Sequence, residues 1–300
     1  MNPERRNKGL YWDRAWKLVE GCARVSAGCD NCWSEQQTVM RCGHPHEAIR
    51  ERARSAVHLA QIPGDKTRFD GRVHLRHDNL DLPLRTKKPM VWAVWNDLWH
   101  EEVPLEFITR AFQVMERARK LGHVFLVLTK RAERMGGFLS EVAVEAPDHI
   151  WFGVSVEDQP MADERIPHLS QIPGNRFVSI EPMLGPIDLY RGGFSFLHDL
   201  KSPQGKRYGK IHQVLLGGES GKDARPMNPL WARTIRDQCQ DAGVPFYHKQ
   251  NGEWASVSAI EGPGKHHYFP TGETVRRAGK KKAGRLLDGR LHDDLAWDNL

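Results

Sequence analysis

Short apolar runs alternate with amphipathic stretches over most of the chain. Met90–Trp95 is continuous in hydrophobic residues, as a strand buried on both faces would be. Pro104 suits the first position of the helix that follows. Leu105, Ile108, Phe112 and Met115 then recur at spacings of three and four, which predicts one buried stripe. The same strand–helix unit repeats. Strands are predicted at His123–Leu128, Ile150–Ser155, Arg176–Ile180, Gln213–Leu216 and Pro245–His248. Helices are predicted near Glu133–Glu141, near Met161–Ser170, and after Asn228 and Pro229, a cap and a first-turn proline. Trp231, Ile235 and Cys239 share a face of that last helix, and Gly243 ends it. One more strand, Ala15–Val19, precedes the others.

Alternating strands and helices predict a parallel α/β sheet covered on both faces. Seven strands suit a full or partial (β/α) barrel of the TIM type. A doubly wound open sheet is the competitor, but no G-x-G-x-x-G follows the first strand, which disfavours a dinucleotide site. The barrel is expected over residues 1–252, with an insert at about 33–89. Within it, residues 33 to about 62 read as helical. Residues 70–89 read as extended, with Leu80, Leu82 and Leu84 in alternation. Residues 253–300, rich in Gly and Lys, read as a basic extension that forms either a small β-structure or a mobile arm.

The candidate chemistry begins at Gly21-Cys-Ala-Arg-Val-Ser-Ala-Gly-Cys-Asp-Asn-Cys-Trp33, a C-x6-C-x2-C loop. Thiolates are soft ligands for iron–sulfur clusters and for zinc. Three cysteines, Cys22, Cys29 and Cys32, leave one coordination position open, whereas structural zinc takes four protein ligands. Gly28 is expected to permit a tight turn between them. The plainer alternative is a zinc knuckle completed by His44 or His46. Cys42 and Cys239 read as core residues.

The predicted strand ends carry Asp97, Lys130, Glu157, Glu181, Glu219 and Lys249. In a β/α barrel such ends converge on one face, where active sites are built. Any one of them alone could be a solvated loop charge; the series predicts a shared pocket of mixed charge, suited to a zwitterion, a metal or proton transfer. Glu219 sits between the glycines of Gly217-Gly-Glu-Ser-Gly221, which allow close approach of a ligand. Trp33, Trp95 and Trp99 flank the expected mouth as stacking surfaces or as core.

Charge and composition narrow the picture. The chain has 300 residues, 27% of them charged, and a net charge of +6, with basic clusters at Arg5, Arg6 and Lys8 and at Arg276–Arg285. That balance fits a polyanion partner such as DNA or RNA, or a surface charged for solubility. No signal-peptide pattern and no apolar run of membrane-spanning length is present, which predicts a cytoplasmic protein without a membrane partner. Five cysteines, three within eleven residues, argue against a disulfide framework.

The ordered strings resemble a known family. They are the cysteine loop, Trp95-Asn-Asp-Leu-Trp-His-Glu101, Leu128-Thr-Lys-Arg131, Gly153-Val-Ser-Val-Glu157, Ser179-Ile-Glu-Pro-Met-Leu-Gly-Pro186, Gly217-Gly-Glu-Ser-Gly221 and Phe246-Tyr-His-Lys-Gln-Asn-Gly252. Lys280-Lys-Lys-Ala-Gly-Arg-Leu-Leu-Asp-Gly-Arg290 extends the likeness into the tail. Together they resemble a phage-associated three-cysteine family of unknown function that is likened to radical S-adenosylmethionine (SAM) enzymes. The resemblance implies a [4Fe–4S] cluster on Cys22, Cys29 and Cys32, with SAM on the open iron and an external electron donor. One electron would cleave SAM to a 5′-deoxyadenosyl radical that abstracts hydrogen from substrate. It implies that Asn96, Asp97, Ser155, Glu157, Glu181 and Glu219 bind SAM or substrate, and that Lys130, Glu181, Glu219 and Lys249 act on substrate. The first cysteine spacer is three residues longer than the usual C-x3-C-x2-C. Asn31 precedes the last cysteine where an aromatic is common.

The leading expectation is therefore an enzyme that modifies or repairs a nucleic-acid base, DNA before RNA, in a bacterium or a phage-infected host cell; phage DNA hypermodification is one such setting. The rivals are a Mg²⁺-dependent nuclease or hydrolase with a structural zinc and a non-catalytic nucleic-acid-binding accessory protein.

Overall fold

In the computed structural model, which describes residues 3–59, 66–141, 147–190, 195–201 and 207–299, seven apolar runs pair side by side in parallel. They are β1 (Arg14–Lys17), β2 (Val91–Trp95), β3 (Val124–Thr129), β4 (Ile150–Ser155), β5 (Asn175–Ile180), β6 (Gln213–Gly217) and β7 (Phe246–Gln250). Each is hydrogen-bonded to the strand next to it in this order. A sheet that always advances in one direction puts its right-handed crossover helices on one face and curls away from them.

The division of the core shows this. Alternate strand residues, including Trp92, Phe125, Phe152, Val178 and Leu216, share one cluster with the buried faces of the helices α3 (Leu105–Ala118), α4 (Ala132–Glu141), α5 (Gln159–Leu169) and α6 (Pro229–Asp241). The intervening residues Val91, Leu126, Trp151, Phe177, Leu215 and Tyr247 form a second cluster with Tyr11, Leu295 and Trp297, and no helix from the first layer enters it. A doubly wound sheet, with helices on both faces, is thereby ruled out. The full barrel is corrected too. β1 and β7 end the sheet and do not pair with each other, so the fold is an open parallel half-barrel.

The chain's two ends fill the opening. The Gly9 backbone lies against the Lys249 carbonyl of β7, and Asp13 exchanges hydrogen bonds with Val91 of β2. The tail bridges to the outer edge of β7 at Tyr247 and Asp293, and the His248 amide donates to the His292 carbonyl. Gln213 bonds the Asp294 carbonyl and the Ala296 amide, which seats Trp297 against Trp151 and Phe177 at only 2% exposure. Residues 253–299 are thus a small β-structure that returns to the barrel, not a free arm. Its strands β8 (Trp254–Ser256), β9 (His266–Tyr268) and β10 (Thr274–Arg277) form an antiparallel sheet in the order β8-β10-β9.

The insert also departs from expectation. Helices α1 (Trp33–Arg41) and α2 (Glu47–Ser55) form, but Val57–His58 then pairs with Arg68–Phe69; residues 60–62 of the expected helical stretch lie outside the described residues. Only His74–Leu75 of the expected extended segment is strand; Leu80, Leu82 and Leu84 sit in successive turns that pack on the core. Leu105, placed in the buried stripe of α3, is exposed instead, and Phe107 takes its place. Among the described residues no helix is long and apolar enough to cross a membrane.

Two measurements test this frame. Trp297→Ala empties a buried site, and urea denaturation should show a loss of about 3–5 kcal/mol. The second concerns acid. Burial holds His248 down at about 4, and burial together with Arg176 and Lys210 holds His212 there as well. In the unfolded chain both protonate near an ordinary pKa of about 6.5. Between these values the unfolded state binds more protons, so stability should fall as pH drops from 6.5 to 4, with its full contribution present above 6.5. Urea midpoints that stay level from pH 7 to pH 5 would contradict the burial of these two rings.

Candidate functional site

The cysteine loop leaves the sheet after β1 and crosses the carboxyl ends of the strands. Cys29 ends a single helical turn, Ala27–Cys29, and Cys32 sits at the start of α1. All three cysteines line one cavity of about 520 Å³, together with the ends of β2 through β7. None of the three forms a disulfide. Burial pushes the Cys22 thiol up to about 12, helped by the Asp97 carboxylate and opposed by Arg131. Burial raises Cys32 as well, against the pull of the Glu35 and Ser34 amides at the start of α1. A metal centre bound here would displace those protons, as thiolate sites do.

Among the described residues no three His, Cys, Asp or Glu side chains converge so as to hold one metal ion. His44 and His46, the candidates to complete a zinc knuckle, do not line the cavity; the His44 ring instead accepts the His46 amide.

Two carboxylates pin the long first spacer of the loop. Glu157, at the end of β4, is 1% exposed and does not face the cavity. It lies beneath the loop, where Ser26 Oγ and the Gly28 amide (3.1 Å) donate to it, and Arg165 of α5 donates from the other side at 3.0 Å. Gly28 is required for this contact rather than for its turn: a Cβ there would stand 2.8 Å from Glu157 Oε1. Glu219, after β6, does face the cavity but is held from behind. Arg225 grips both its oxygens, Asn31 Nδ2 donates to it at 3.0 Å, and the same Arg225 donates to the Ala27 carbonyl at 2.8 Å. Burial pushes the Glu219 carboxyl up, but these donors outweigh it and leave it below the ordinary range.

The other expected residues sort clearly. Asp97 faces the cavity but accepts from Arg131 (2.8 Å), Thr129 (2.7 Å) and the Trp99 amide (3.0 Å). Asn96 adopts a left-handed backbone (φ 60°) and ties β2 to α1 through Ser34 and to the Val19 carbonyl. Ser155 lines the inner wall. Glu181 and Lys249 meet at 2.5 Å on the far wall. Lys130 lines the wall on the Cys32 side, where its charge favours the thiolate. Trp33 and Trp95 meet edge to face at the mouth, centroids 4.4 Å apart. Trp99 is not at the mouth; it is core, packed on Phe112 and Phe138.

Sequence reasoning missed three contributors. Tyr11, its phenol raised chiefly by burial and then by nearby Glu181, lines the floor. Arg225 had no signal beyond being basic in a loop. Lys280 comes from a run of three lysines, and nothing in a run marks which one turns inward.

The fold and site define a class: an open parallel half-barrel with a thiol-lined, ion-paired cavity at the carboxyl ends of its strands. The chain belongs to the family described as protein of unknown function DUF5131, whose pattern matches residues 7–296. Comparison with curated proteins and with solved structures gave no match.

Glu157→Gln removes the carboxylate that neutralises Arg165, itself 2% exposed. It should cost about 3–5 kcal/mol in urea denaturation, the penalty for a buried charge left without its partner.

Proposed function

We propose that the protein is an iron–sulfur enzyme in which Cys22, Cys29 and Cys32 hold a [4Fe–4S] cluster whose open iron takes SAM, and that it modifies a base of nucleic acid. One observation carries this reading: three cysteines from a single loop line one cavity at the carboxyl ends of a half-barrel. A cluster with SAM bound supplies a one-electron route to a carbon radical. The chain's own groups do the rest. Glu157 and Glu219 keep the loop in place. Glu181 with Lys249 offers a charge pair of the kind that a zwitterionic ligand can join. Ser155 lines the same space, and Asn96, held by Ser34 and the Val19 carbonyl, shapes its wall. A cavity of about 520 Å³ lies within the range for one cofactor-sized ligand. The phage setting and the electron donor belong to this proposal as well.

The hydrolase reading is weaker on the same geometry. Asp97, Glu181 and Glu219 each already accept from a cationic partner, so a divalent cation would have to displace Arg131, Lys249 or Arg225.

Anaerobic reconstitution tests the proposal. It should yield about four irons per chain and a reduced-cluster resonance that shifts on adding SAM. Cys22→Ala should lose that iron. Protein that takes up zinc and no iron would falsify the reading.

A further inference from the structure

The cavity's charges do not cancel. Its lining holds four cations, Lys130, Arg131, Lys249 and Lys280, against three carboxylates, Asp97, Glu181 and Glu219. Every carboxylate is engaged: Asp97 by Arg131, Glu181 by Lys249, and Glu219 by Arg225 from outside the lining. The side chains of Lys130 and Lys280 make no hydrogen bond or ion pair among the described residues; the Lys280 ammonium lies in the field of Glu181 and Glu253, opposed by Lys249. Lys130 lies on the Cys32 side, whereas Lys280 is exposed at the rim beside Lys249 and the end of β7. Trp33, 48% exposed, stands on the rim by β2, braced edge-on against Trp95. The mouth therefore has a cation without an ion pair beside β7 and a half-exposed indole beside β2, and both line the same cavity.

The geometry points to a nucleotide-binding site across this mouth: Lys280, with Lys249 behind it, takes a phosphate, and Trp33 takes the base. Charge-assisted contact to phosphate and stacking on a ring are the two elements of single-strand recognition. The C-terminal extension then completes the site rather than decorating it. Lys280 is carried by the helical turn Lys280–Ala283, which the β8–β10 sheet and the returning tail hold against β7. Its neighbours differ. Lys282 donates to the Glu261 carbonyl, and Lys281 does not line the cavity. The site deepens the nucleic-acid reading above and does not depend on the cluster.

Isothermal titration of the full chain tests it with adenosine 5′-monophosphate, adenosine and a short single-stranded deoxythymidine oligomer. The monophosphate should bind more tightly than adenosine. Lys280→Gln should weaken monophosphate binding about tenfold or more and leave adenosine binding unchanged; Lys281→Gln should change neither. An oligomer that binds more tightly than the monophosphate, with the same Lys280 dependence, places the phosphate in a strand; the reverse order places it in a free nucleotide. Equal binding of monophosphate by wild type and Lys280→Gln, or no advantage of monophosphate over adenosine, overturns the site. Iron content after reconstitution should be the same in Lys280→Gln, so failure of the cluster reading and failure of this one are read separately.

Discussion

A carboxylate that never reaches the cavity organises everything around it. Glu157 is buried under the cysteine loop, with Arg165 on one side and the loop's own Ser26 and Gly28 on the other. A buried charge is tolerated only when its partners and hydrogen bonds are complete. That condition makes the arrangement rigid: the loop cannot lift without stranding Glu157, and Glu157 cannot leave without stranding Arg165. The Glu219–Arg225 clamp repeats the logic from the opposite wall. Between them the longer cysteine spacer becomes an ordered ledge, and three sulfurs are held toward a common space.

The ledge requires a sheet that curls but does not close. A closed barrel of this size would fill its own centre with side chains. Here β1 and β7 stay apart, and the inner apolar cluster is completed from below by Tyr11, Leu295 and Trp297. Terminal segments plug the floor and cover the outer edge of β7, an edge that would otherwise be open to pairing with another chain. The upper half of the interior is left for the cavity. The same tail that seals the floor brings Lys280 to the rim, so stability and site composition are coupled through one segment.

Ion pairing sorts the charged strand ends into two kinds. Asp97, Glu157 and Glu219 are engaged by arginines and serve mainly to position β2, the loop and α1. Glu181 pairs instead with a lysine, Lys249, at the cavity wall, and the Lys130 side chain lines the cavity without an ion pair among the described residues. The series of charged strand ends thus combines two tasks that look identical as letters.

The chain's linear pattern determined the parallel α/β architecture, all seven strands to within two residues at each end, the cap at Asn228, and the gathering of Cys22, Cys29 and Cys32 with the strand ends at one face. These follow from local periodicity and from the rule that parallel strand ends share a side. What it left open depends on contacts between distant residues. Whether β1 meets β7 is set by what packs into the gap, and the residues that do so, Tyr11 and Trp297, lie at opposite ends of the chain. Glu157 turns under the loop because Arg165 and Gly28 wait there, and Lys280 rather than Lys281 faces inward because β8–β10 fix its turn. A residue's type and spacing specify what it can do; which partner neutralises it is a property of three-dimensional neighbours, and only the tertiary structure decides that.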